Sequence, residues 1–166
     1  MKKNLKEINI LWNVLGLAAF VISFGGALFA FGFDYIKSLL SHKGFLNVNA
    51  TVPLSVTVWS FIFFAVLIAM VVLGKIFKNK VLLLTATSYQ ALLVMSVIML
   101  LLFMNADITN ETLYNVMQWA MIILFAPVYG VIWQLGALFF ALFVPLVIVT
   151  TVFTVKLLKE TRTKKR

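Results

Sequence analysis

The side chains best suited to chemistry inside this mostly apolar chain are a few amides and hydroxyls. Thr87, Ser88 and Gln90 stand in one apolar run and Gln134 in another. An amide offers two donors and an acceptor, and a hydroxyl offers both. Such a set suits hydrogen bonding across a helix interface or the lining of a polar path. Gln90 lies about 14 Å along a helix from the lysines that precede its run. Gln134 enters from the other side at a similar depth. A bond between the two amides is expected, typically about 0.6 to 2 kcal/mol in a membrane, and it would fix helix register.

The titratable residues suit no reaction. The only histidine, His42, lies in a loop segment near Asp34 and Lys43, and the five acidic residues are scattered along the chain. Metal hydrolysis needs several His or carboxylate ligands, and a Ser or Thr nucleophile needs a positioned base. The chain has no cysteine, which removes disulfides, thiol redox chemistry and thiolate metal sites. No catalytic, metal or cofactor site is expected, and the chain does not read as an enzyme. No charged residue falls inside an apolar run, whereas coupled transporters commonly place one there.

These residues sit in a chain that is 63% hydrophobic and only 11% charged, against about a quarter charged for soluble domains. The sequence predicts an all-α integral membrane protein forming one membrane domain over 1–166. Each span needs about 20 apolar residues. Four are expected, at about 8–33, 54–74, 81–104 and 127–155. Segments 34–53 and 105–126 become outer loops, 75–80 a cytosolic loop and 156–166 a basic cytosolic tail. The first run is longer than the apolar part of a cleavable signal, so it reads as a retained helix.

From Thr112 to Val155 the chain contains no Asp, Glu, Lys, Arg or His. That length invites two crossings, but lysine and arginine placement argues for one. Lys2, Lys3 and Lys6 precede the first span, Lys75, Lys78 and Lys80 separate the second from the third, and six basic residues follow Val155. A single final crossing puts all three groups on one side, as the positive-inside rule requires. Amino and carboxyl termini are then cytosolic, and residues from about Asn110 to Ala126 form an interfacial or re-entrant helix, with a break or kink at Pro127. The localisation expected is a cell membrane of the bacterial cytoplasmic type.

Two stripes of small and weakly polar residues follow helical spacing. Gly130, Gln134, Ala137, Ala141 and Pro145 fall within roughly an 80° arc at 100° per residue. Ile132, Phe139, Phe143 and Leu146 lie opposite. Asn9, Asn13, Gly16, Ser23 and Ala27 form a companion line on the first helix. Lipid competes equally for apolar surface, so small residues mark the faces where helices approach closely. These residues and Gln90 are the candidate helix-packing or partner face.

Lys75, Lys78, Lys80, Lys156 and Lys159 are expected to meet anionic lipid headgroups, an attraction of about 1 kcal/mol per charge. Nucleic acid is not an expected partner, because the basic residues flank apolar runs and form no surface of their own. The reading that follows is a small non-catalytic multi-pass protein, accessory, regulatory or immunity-type. It would act through helix contacts with a membrane protein or with its own copies. The alternative is a small transporter or pore component with a polar path around Gln90 and Gln134.

Overall fold

In hydrocarbon a backbone must satisfy its own N–H and C=O groups, so long uncharged runs fold as helices. The structure, a computed structural model, describes residues 2–40, 52–104 and 111–163. Among these are five helices: α1 (Lys2–Leu40), α2 (Leu54–Ile76), α3 (Lys80–Met104), α4 (Glu111–Leu135) and α5 (Ala137–Thr163). Four contain stretches long and apolar enough to cross a membrane, at Glu7–Phe33, Leu54–Ile76, Lys80–Ile98 and Ala137–Thr161.

The first helix continues through Leu40 where a loop from residue 34 was expected. Its sequence from Phe33 to Leu40 holds neither Gly nor Pro, and Ile36, Leu39 and Leu40 keep helical spacing. His42, Lys43, the rest of the expected loop up to Thr51 and residues 105–110 lie outside the described residues.

A larger difference falls in the uncharged stretch. Of the expected break or kink at Pro127 there is no break, and α4 runs through this proline to Leu135. Proline removes one backbone donor and crowds the preceding turn. Neighbouring helices supply contacts around this turn. The Tyr89 hydroxyl donates to the Leu124 carbonyl at 3.1 Å, and the Gly130 N–H donates to Ser60 Oγ at 3.1 Å. The break lies instead at Gly136, whose φ is +52°. Its N–H closes on the Ile132 carbonyl at 2.8 Å, and its own carbonyl accepts from the Phe139 N–H at 3.1 Å. The fourth long apolar helix therefore begins at Ala137.

The turn between α2 and α3 is built from polar groups. Lys78 takes a left-handed φ of +50°. Asn79 N–H then reaches the Gly74 carbonyl at 2.8 Å, and Lys78 N–H the Lys75 carbonyl at 3.3 Å. This is the Schellman arrangement for ending a helix. Asn79 Oδ1 accepts from the backbone N–H of Val81 at 3.1 Å and of Leu82 at 3.3 Å, so the same residue caps α3.

The core gathers side chains from all five helices. Phe63 and Leu67 of α2, Tyr89 and Leu93 of α3, Val128 and Val131 of α4, and Phe139 and Phe143 of α5 are buried together, with Phe20 and Phe24 of α1 packed against them. Its centre is aromatic, with Phe63 and Tyr89 ring centroids 4.9 Å apart and nearly perpendicular. That edge-to-face geometry suits the charge distribution of the rings. A smaller cluster of Ala30, Phe31, Val56 and Ala126 joins α1, α2 and α4.

Candidate functional site

The most polar part of the interior is a seam between α3 and α5. Gln90 is 1% exposed, and its Nε2 donates to Thr150 Oγ1 at 3.4 Å. One turn along, the Thr87 and Thr154 hydroxyls lie 2.8 Å apart. The spacing explains the two rungs: residues 87 and 90 share a face of α3, and residues 150 and 154 are one turn apart on α5.

Proton counting shows a shortage of donors in this seam. Thr87 Oγ1 is 2.7 Å from the Leu83 carbonyl, and Thr154 Oγ1 is 2.9 Å from the Thr150 carbonyl. Together with the contact between the hydroxyls, that makes three close contacts for two hydroxyl protons. Thr150 commits its own proton to the Leu146 carbonyl at 2.6 Å. Gln90 Oε1 is buried with no partner. The seam can orient helices and accept a hydrogen bond, but it contains no group that exchanges a proton near neutral pH.

The expected bond between Gln90 and Gln134 is not formed. Gln134 is exposed, as are Ala137 and Ala141, whereas Gly130 is buried. The stripe from Gly130 to Pro145 assumed one continuous helix, and Gly136 interrupts it. On α5 the bulky side packs inward, with Phe139 1% and Phe143 5% exposed. Phe139 meets Phe64 at 5.7 Å between ring centroids. Aromatic contact with the core, rather than close approach of small residues, sets the rotation of this helix.

Gly130 is the member of that stripe where helices do approach closely. A Cβ there would lie 2.6 Å from Thr57 Cα and 2.8 Å from the Val56 carbonyl oxygen, so only glycine fits this crossing of α2 and α4. On α1, Ser23 and Ala27 are buried, and Gly16 faces Leu82, whose Cδ2 would be 2.5 Å from an added Cβ. Asn9 is half-buried, with its carbonyl accepting from Asn79 Nδ2 at 3.3 Å. Asn13 is half-buried too, and its Oδ1 has no partner.

The five lysines expected at headgroups separate into different settings. Lys75 Nζ sits 4.5 Å from the centre of the Phe153 ring, and Lys78 approaches Glu160 at 4.0 Å. Lys80 is half-buried, while Lys156 and Lys159 are exposed. Together with the Asn9–Asn79 bond and the Trp12–Phe77 stack at 5.6 Å, these contacts bring the start of α1, the α2–α3 turn and the end of α5 to one end of the bundle.

Comparison with protein-family models, with curated proteins and with solved structures finds no match to this chain. Sequence reasoning misses Thr150, Thr154, Ser60 and Asn79. Thr150 and Thr154 carry a usable signal, two hydroxyls one turn apart in an otherwise apolar run. Ser60 carries none, since its partner is a backbone N–H on a helix 70 residues away.

Proposed function

We propose that this chain is a small non-catalytic multi-pass protein of a bacterial-type cytoplasmic membrane. It acts as an accessory, regulatory or immunity-type component through helix contacts with a membrane protein or with its own copies. The observation that carries this reading is the outward position of Gln134, Ala137 and Ala141 around the Gly136 break. Internal packing does not use them. Small residues allow close approach, and an amide gives hydrogen-bonding direction.

Both termini are cytosolic in this reading. The three basic segments flank one end of the bundle, where the positive-inside rule places the cytosol. In this reading the segment between the outer end of α3 and α5 is interfacial or re-entrant, and α5 makes the last crossing. A reporter fused after Arg166 is expected to be cytosolic; an external signal would reverse this orientation.

The docking reading is tested with a photo-crosslinking residue at Ala141 in native membranes. A discrete protein adduct is expected, weakened by Gln134→Leu in the same chain. Adducts with lipid alone would overturn it. One observation favours a second reading as a transport component, namely the unpartnered Gln90 Oε1 in the seam. Solute flux through liposomes that Gln90→Leu abolishes would support that reading over docking.

A further inference from the structure

The basic end of α5 is more than a run of lysines next to a membrane. A shallow groove there is lined by Thr151, Val152, Val155, Lys156, Lys159 and Thr163, with Glu160 at one edge. At 100° per residue, Val152, Val155, Lys156, Lys159 and Thr163 fall within about 100° of one helical face. The face is apolar toward the membrane centre and cationic toward the helix end. Val152 is 57% and Val155 44% exposed, so neither is used by the core.

Depth agrees with this division. From Ala137 to Val155 the helix rises about 27 Å, close to the hydrocarbon thickness of about 30 Å. With Ala137 at the outer boundary, as in the proposed topology, Lys156 falls at headgroup level. Lys156 and Lys159 have no ion-pair or ring partner among the described residues, unlike Lys75 and Lys78. Glu160 shares this face and also approaches Lys78, so the face keeps a net positive charge from its two lysines.

We propose that this groove is a discrete site for one anionic phospholipid. The phosphodiester would lie between Lys156 and Lys159, and an acyl chain would follow Val155 and Val152 into the bilayer. A free phosphate compound would use only the cationic half of the groove. The occupant proposed here is therefore a lipid. The site is separate from the outward face around Gln134, and it stands or falls independently of that docking surface.

The test is native mass spectrometry of the full chain in detergent with equal amounts of phosphatidylglycerol and phosphatidylcholine. One phosphatidylglycerol is expected to be retained preferentially. Lys156→Gln and Lys159→Gln should each weaken retention about fivefold, and the double variant about 25-fold. Lys6→Gln, at the start of α1 and the same end of the bundle, should change it less than twofold. Glycerol 3-phosphate in excess should not displace the lipid. Equal retention of the two lipids, an equal effect of Lys6→Gln, or displacement by glycerol 3-phosphate would each overturn the proposal. Unchanged thermal unfolding of the variants would separate lost binding from lost folding.

Discussion

Two turns redirect the chain through a left-handed residue, and they are made in opposite ways. At Lys78, with φ +50°, the following Asn79 ends α2, caps α3 and donates to Asn9 of α1. At Gly136, with φ +52°, the backbone conformation does the work, and no side chain of the residue itself takes part. The first turn is held by hydrogen bonds to three helices. The second is held by the conformational freedom of one glycine and by what α4 and α5 pack against on either side. Polar side chains thus build the turn at the basic end, and the absence of a side chain builds the other.

Removing the polar side chain should show the larger effect. Asn79→Ala deletes both acceptor contacts to α3 and the donor to α1 at a residue only 3% exposed. A loss of about 2 to 4 kcal/mol is expected from a missing cap and unsatisfied buried groups. Reversible unfolding in mixed micelles measures it, and a loss below about 1 kcal/mol would remove Asn79 from its central role. Gly136→Ala should destabilise by about 1 to 2 kcal/mol, since an L-residue in the left-handed region carries that strain. If this variant is as stable as the parent, the break does not depend on glycine. The smallest effect is expected for Lys78→Gly, a gain of up to about 1 kcal/mol in the same assay. The exposed contact with Glu160 offsets little of that gain. A loss there would mean that the lysine side chain matters more than its backbone conformation.

The same contrast explains what can be read from the sequence. Lys75, Lys78 and Lys80 announce a turn because charges do not remain in hydrocarbon, and the long apolar runs announce helices. Gly136 announces nothing, standing between Leu135 and Ala137, and glycine is common in membrane helices. Pro127 points to a break or kink, yet the helix continues through it. Gln90 is legible as a buried amide, but its partner is not. Which face of α5 turns inward depends on where the helix restarts, and that depends on Gly136. The inward rotation of Phe139 and Phe143, and with it the outward place of Ala141, follows from tertiary contacts that periodicity does not contain.

The two threonines that share too few protons have a consequence for the electrical character of the bundle. When Thr87 donates to Thr154, Thr154 keeps its proton on the Thr150 carbonyl; when the direction reverses, Thr87 keeps its proton on the Leu83 carbonyl. Both arrangements serve two of the three contacts and differ only in hydroxyl rotation. The hydroxyl part of the seam's dipole can therefore change direction while every heavy atom stays in place. As in ice, proton order is left free within a fixed oxygen framework, and the interior between α3 and α5 is polarisable in a way that its close packing conceals.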